Sequence, residues 1–570
     1  MCGIAGIVQF NASPTIREDL VLMCDAIAHR GPDASGYWVS NNNKTGLGHR
    51  RLSIIDLSDA ASQPMHFAEG RYAIVFNGEI YNYLELKDWL VRFKYMFTTS
   101  SDTEVLLALY DLKGEKCLEY LDGMFAFAIW DNKEQKLFCA RDRFGEKPFF
   151  YFKDQHNFYF ASEIKALLKV RKEITVQTDR LQKYINENYS CLPSESYFSN
   201  VHQLPASHFL VISEATFSIN RYWEIDLEKR SRYVRTSQYY EQFYELFSRS
   251  VNRRLRSDVK VGSSLSGGLD SSAIVSCISE LKPKDFTTLS ARFPGAGGDE
   301  GHWIEEVVKS TGFTNLQVLP DANGFLERAG DLIYQQEYPI ASTSVYAQWC
   351  VMKLAHDNGI KVLLDGQGAD EFLAGYDNLK YFALWELYRK GSIVQFRREL
   401  QYFKESYGAS KSVGLKFLYD PILQLFGKRR KVYDKGYTLR ERLKYAMEFE
   451  LPELLRYADR NSMGNSVEVR LPFLSHQLVE FAFSLPPEQI YQKGRTKYVL
   501  REATRKVLPK AIYNRKDKIG FAPPENSWMQ NHLFKQALSD SRHQLINKGF
   551  QPGGNEFRNF VAAHFINVFS

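Results

Sequence analysis

At 570 residues the chain is too long for one ordinary hydrophobic core, so two or three domains are expected. Its 44% hydrophobic and 25% charged residues suit a soluble globular protein, and a net charge of only +6, dispersed along the chain, argues against a nucleic-acid surface. No run of about 20 apolar residues offers a membrane span. The seven scattered cysteines, with no Cys-x-x-Cys pair, argue against a disulfide framework or a zinc site and for a reducing, cytoplasmic compartment.

The apolar start, Met1 to Phe10, has no basic region before it and soon meets Asn11, Arg17 and Glu18, so it does not read as a signal peptide. Helical periodicity covers Ile16 to Ala28 and breaks at His29-Arg30-Gly31-Pro32. Arg71 to Asn82 is β-branched and aromatic and is expected to turn at Asn77-Gly78. A second helix is expected over Thr103 to Lys113, after Ser101-Asp102. Ala126 to Trp130, a polar turn from Asp131 to Lys136, and Leu137 to Arg141 predict a hairpin. Strands with separate helices predict an α+β layered domain over residues 1–215. Residues 216–236 are the expected linker, charged and aperiodic from Ile225 onward.

Residues 237–570 read differently. An apolar strand, Val259 to Leu265, runs into a Gly-rich turn and a helix from Ser271 to Leu281. Another, Lys361 to Leu364, runs into a second Gly-rich turn. Strand, turn and helix in repetition predict a parallel α/β sheet with ligands at the strand ends. From Gly375 the chain is mostly helical and aromatic. The one dense basic cluster, Lys428 to Lys431, reads as a solvated face.

Cys2 opens the first candidate site. Loss of Met1 would leave a thiol and a free α-amine on one residue, a nucleophile with its own general base. Hydrolysis of glutamine needs oxyanion donors, a cation for the substrate carboxylate and an anion for its ammonium. Asn77 and Gly78 can supply the donors, Arg51 the carboxylate fork, and Asp102 the anion.

Ser266-Gly267-Gly268-Leu269-Asp270-Ser271-Ser272 is the second candidate. Its glycines let backbone N–H groups approach phosphate oxygens, and the helix start adds its positive dipole end and hydroxyl donors. The Gly-Lys-Ser/Thr ending of a Walker A loop is absent. Asp370 closes the second Gly-rich turn, Asp365-Gly366-Gln367-Gly368-Ala369, so Asp270 and Asp370 can share Mg²⁺ that bridges phosphate oxygens.

With Cys2, the segments His29–Asp33, Arg51–Ile54, Phe76–Asn82, Ser101–Glu104 and Arg141–Gly145 with Lys147-Pro148 resemble the class II glutaminase domain of glutamine amidotransferases. Ser266–Ser272 resembles the pyrophosphate loop of the ATP pyrophosphatases. Followed by Tyr457–Arg460 and Ser466–Leu474, the order resembles the glutamine-hydrolysing asparagine synthetases over nearly the whole chain, weakening from about Tyr381 to Tyr437.

The resemblance implies an αββα N-terminal nucleophile sandwich, then an α/β ATP pyrophosphatase domain with a helical C-terminal part. It implies a thioester at Cys2, ammonia passed inside the protein, and an acyl-adenylate made with ATP and Mg²⁺. It adds Glu79 to the glutamine site and Leu265, Ala291, Asp365 and Gly366 to the ATP site. Lys497 would neutralise the α-phosphate, and Asp365 and Gln367 would meet the acceptor. Partners would be small molecules, with a homodimer as the candidate assembly. One feature departs from the pattern. These enzymes usually carry Ser-Gly-Glu-Gly where this chain has Asp365-Gly366-Gln367-Gly368, and Gln367 cannot accept a proton as a carboxylate can. Aspartate is the expected acceptor. A uronic-acid sugar of a surface polysaccharide, or another small carboxylate, is the alternative. A nucleic-acid-modifying adenylating enzyme and a silent regulatory homologue are more distant ones.

Overall fold

The computed structural model describes residues 2–10, 16–187, 189–231, 233, 235–283, 285–389, 391–407, 438–516 and 520–569. The Lys428–Lys431 cluster and much of the stretch with weak resemblance lie outside them.

Two antiparallel sheets build the N-terminal half. The first runs β10(Val201–Gln203)-β8(Phe150–Lys153)-β9(Asn157–Ala161)-β1(Gly3–Gln9)-β3(Thr45–Arg51)-β2(Ala34–Val39). The second runs β12(Phe217–Arg221)-β11(His208–Ile212)-β7(Lys136–Arg141)-β6(Gly123–Asp131)-β5(Tyr72–Ile80)-β4(Met65–Phe67). Alternation along the strands dictates the layers. Ile4 and Val8 of β1 join Ala126, Ala128 and Trp130 of β6 in the core between the sheets. Ala5 and Ile7 face outward onto the helix Ile16–Ala26, and Phe125, Phe127 and Ile129 pack outward with Val105 and Leu109 of the helix Asp102–Lys113. The result is the expected αββα sandwich.

Two expectations are corrected. No turn forms at Asn77-Gly78: β5 runs straight through to Ile80, with Asn77 opposite Ala126 and Gly78 opposite Phe125. Gly78 is there because a Cβ would lie 2.1 Å from the Met124 carbonyl oxygen, so the glycine serves close strand approach. The sheet also continues past residue 215. β12 pairs with β11 along its whole length, which carries the sandwich to Arg221.

The second half holds a parallel sheet in the order β15(Thr314–Val318)-β14(Thr287–Ala291)-β13(Val261–Ser264)-β16(Val362–Leu364)-β17(Glu468–Arg470). Chain order reverses at β13, between β14 and β16, so the loops after β13 and β16 open side by side. Such a switch point is where open α/β sheets bind ligands. Hydrophobic clusters join the two halves: one contains Ala5, Ile7 and Leu20 together with Phe325, Ile333 and Phe560, and another Leu52, Ile54 and Met124 together with Val362 and Met463.

Candidate active sites

Cys2 is buried just before β1. Its N–H donates to Asn77 Oδ1 at 3.0 Å, and its Sγ lies 4.0 Å from the Leu52 carbonyl oxygen. Burial pushes the thiol up and Glu468 adds to that, while the chain's amino terminus and Arg51 pull the other way. Asn77 is fully buried on β5, and its Nδ2 has no hydrogen-bond partner among the described residues, so two amide protons stay available. His49 donates from Nε2 to the Phe76 carbonyl at 3.2 Å and fixes the strand there; burial pulls that imidazole down to about 3, so it is neutral.

Arg51 ends β3. Its guanidinium donates to the carbonyls of Ser58, at 2.8 Å, and Asp56. Carbonyls hold its direction but leave its charge uncompensated, which suits a carboxylate ligand. Asp102 opens its helix behind the cap Ser101 and accepts from Ile80 N–H at 2.9 Å. Burial raises its carboxyl to about 6, with Glu468 also raising it and Arg470 opposing. Burial likewise lifts Glu79 well above the carboxylate range, 3.5 Å from Arg470. The structure thus gathers Cys2 and Asn77 in direct contact, with Glu79 and Asp102 tied to the end of the same strand.

The second site is a cavity of about 360 Å³ at the switch point. Leu265, Ser266, Gly268, Leu269, Asp270, Ser271, Ala291, Asp365, Gly366, Gln367, Asp370 and Lys497 all line it. Gly267 and Ser272 do not. Gly267 makes the turn behind the wall, at φ +75°, with its carbonyl accepting from Arg515 at 2.9 Å, and Ser272 is wholly buried in the helix beneath. The loop is preshaped: Ser266 Oγ accepts from Gly268 N–H at 3.3 Å and meets Ser271 Oγ at 3.1 Å.

Lys497 Nζ touches Asp270 Oδ2 and lies 2.6 Å from Asp370 Oδ1. A Cβ on Gly375 would sit 1.7 Å from Asp370 Oδ1 and 2.5 Å from Lys497 Cε, so glycine is required beside this triad. Two aspartates facing a nucleotide-sized cavity fit Mg²⁺, which takes one or two carboxylates together with substrate phosphates. Asp365 Oδ1 accepts from Gln367 N–H at 3.1 Å. Burial raises its carboxyl, against the Ser264 hydroxyl and the loop N–H groups. Gln367 Oε1 is buried without a hydrogen-bond partner among the described residues.

Sequence reasoning missed several lining groups. Arg515 stacks 4.9 Å over Trp303 and pairs with Glu300 at 2.7 Å, and Tyr376 donates at 2.5 Å to Glu371, whose carboxyl burial and Asp370 raise to about 7. Arg515 and Tyr376 stand in no local motif, whereas Glu371 directly follows Asp370 in the second Gly-rich segment and was given no role. It also gave no role to Arg30, Asp459, Glu468 or Arg470. All four stand in quoted motif segments, so position within those blocks was the available signal.

Comparison with known proteins agrees with this geometry. The glutamine amidotransferase domain family matches residues 1–223, and the asparagine synthase family matches residues 242–555. Asparagine synthetase [glutamine-hydrolyzing] 1 of Bacillus subtilis (strain 168) is 32% identical, over 94% of this chain and 88% of its own. Asparagine synthetase [glutamine-hydrolyzing] 3 of the same organism is also 32% identical, over 90% and 86%. Amidase chry2 of Gibberella zeae is 28% identical, over 94% and 91%. The chain therefore belongs to the asparagine synthase family, as a glutamine-hydrolysing ligase with an N-terminal glutamine amidotransferase domain.

Proposed function

We propose that the enzyme makes L-asparagine from L-aspartate, with glutamine as nitrogen donor and ATP converted to AMP and pyrophosphate. The observation that carries this reading is the convergence of the pyrophosphate loop, the Asp270–Lys497–Asp370 triad and the Asp365–Gln367 loop on one cavity.

In the first half-reaction, Cys2 freed of Met1 attacks the glutamine amide carbon, its α-amine taking the thiol proton. Asn77 Oδ1 already accepts from Cys2 nitrogen, and the Asn77 amide protons with Gly78 N–H stabilise the oxyanion. The amide nitrogen leaves as ammonia, and water cleaves the thioester to glutamate. Arg51 and Asp102 hold the substrate's charged ends.

In the second half-reaction, the acceptor carboxylate attacks the α-phosphorus and pyrophosphate departs, leaving an acyl-adenylate. Lys497 offsets charge at the α-phosphate. Mg²⁺ held by Asp270 and Asp370 would neutralise the departing pyrophosphate. Ammonia then adds to the acyl carbon, gives up a proton, and AMP leaves. Asp365, which accepts from Gln367 N–H, is the carboxylate placed for that proton, and Gln367 Oε1, without a partner among the described residues, would accept from the acceptor.

Cys2→Ala should abolish asparagine formation from glutamine and retain it from ammonium salt. Near wild-type use of glutamine by the variant would refute the nucleophile. Pyrophosphate release over a panel of carboxylic acids tests the acceptor. A sugar acid ranking above aspartate would replace it.

A further inference from the structure

The contact between the halves contains a buried charge cluster that the chemistry above does not use. Arg30, wholly buried, spends every guanidinium nitrogen. Nε donates to the Cys2 carbonyl at 3.1 Å. Nη1 donates to Glu163 and to Asp459 Oδ2, both at 2.8 Å, and Nη2 donates to Asp459 Oδ1 at 3.0 Å. Asp459 therefore grips Arg30 with both oxygens, a fork that fixes direction as well as distance. Burial alone would lift its carboxyl, but Arg30, Lys147 and Arg460 hold it below the usual range, so the fork is ionic.

Asp459 belongs to the other half of the molecule, on the helix Leu451–Met463. Two residues of that helix, Leu454 and Tyr457, line the nucleotide cavity. Tyr457 is anchored at both ends of its hydroxyl, donating to Glu453 at 2.5 Å and accepting from Ala341 N–H at 3.2 Å. Arg460, next to Asp459, donates to Glu337 at 2.8 Å and to the Ser162 carbonyl at 3.3 Å. Ser162 Oγ in turn accepts from Ile4 N–H at 3.0 Å. One end of this helix thus holds the chain at Cys2 and again at Ile4, while an adjoining turn forms the wall of the nucleotide cavity.

We propose that Asp459 is a positioning residue for Cys2, acting through the Arg30 fork. The inference rests on Cys2 being the glutaminase nucleophile. Neutralising Asp459 leaves Arg30 one charged partner in place of two and frees the Cys2 carbonyl to drift. A misplacement of about 1 Å can cost on the order of a hundredfold in rate.

The test uses the full chain, with glutamate release from glutamine as the readout. Asp459→Asn should lower kcat by about ten- to a hundredfold. KM for glutamine should barely change, since Arg51 and Asp102 are untouched. ATP affinity should stay within about twofold of wild type. Wild-type kcat in the variant would overturn the proposal, as would ATP affinity lost in parallel with kcat. If Asp459→Asn does not fold, Asp459→Glu keeps the charge but displaces the fork by one methylene. A lowered kcat at unchanged KM supports the proposal; an unchanged kcat overturns it. Cys2→Ala separates the two readings. Glutamate release surviving in that variant refutes the nucleophile, whereas an inactive Cys2→Ala beside an unaltered Asp459→Asn refutes only the role of Asp459.

Discussion

Asp102, proposed to hold the glutamine ammonium, shows how burial gives a carboxyl a pH response. Its carboxyl is raised to about 6, chiefly by loss of water. A glutamine ammonium needs the ionised form, so KM for glutamine should fall by about tenfold per unit as pH rises toward 6, then level off. Stability of the free enzyme runs the other way. Between about pH 4 and 6 the folded chain keeps a proton that the unfolded chain has released, so stability declines as pH rises through that window. Asp102→Asn should flatten both trends. Steady-state kinetics and thermal melts across pH 4.5–7.5 check this; a KM profile that stays steep in the variant would assign the titration elsewhere. The candidates at this scale are visible in the chain itself. The thiol at position 2, Arg51, Asp102 and the pyrophosphate loop each pair a residue type with a chemical need. Asn77-Gly78 misled, because the pair that favours a turn is also the pair that supplies an amide and a missing side chain inside a strand.

At the scale of elements, the two Gly-rich turns after β13 and β16 face each other across the switch point. Asp365 and Gln367 lie on one turn, joined by the Gln367 N–H, and the Asp365 N–H donates to the Arg470 carbonyl at 3.0 Å. Asp365→Asn should therefore slow amide formation with ammonium salt by about 10²-fold or more, as loss of a general base does, with ATP–pyrophosphate exchange affected less. Equal losses in both assays would make Asp365 a binding residue only. Gln367→Glu should be tolerated with aspartate and harmful with a sugar acid, because a new anion would repel a lone carboxylate in a desolvated cavity. Strand, Gly-rich turn and helix were legible because periodicity and glycine mark them. The three-residue strand β17 was not. It is too short for a pattern, and its Glu468 and Arg470 are buried charges that pair with each other, Arg470 reaching also to Glu79 far back in the chain.

At the scale of the whole molecule, neither half closes on its own. The hydrophobic cluster joining Ile7 and Leu20 to Phe325 and Phe560 is continuous, and Arg30, Glu163 and Lys165 find counter-charges in Asp459, Arg460 and Glu337. The full chain should melt in one cooperative transition. A fragment ending at residue 231 should lose solubility or melt well below it, since removing one partner of a buried ion pair costs about 3–5 kcal/mol. Calorimetry of both would show it, and two separate transitions in the full chain would contradict it. No sequence pattern announces such a contact: the Arg30–Asp459 pair alone joins residues 429 apart. The Arg30–Asp459 fork also bears on inheritance. A crossover in the stretch between β12 and the helix Thr236–Arg254 would join two well-formed halves from different relatives, yet each would bring a junction charge pattern fitted to its former mate. Lineages carrying this architecture are therefore expected to pass on both halves as one block, with changes at residues 30, 163, 459 and 460 fixed together.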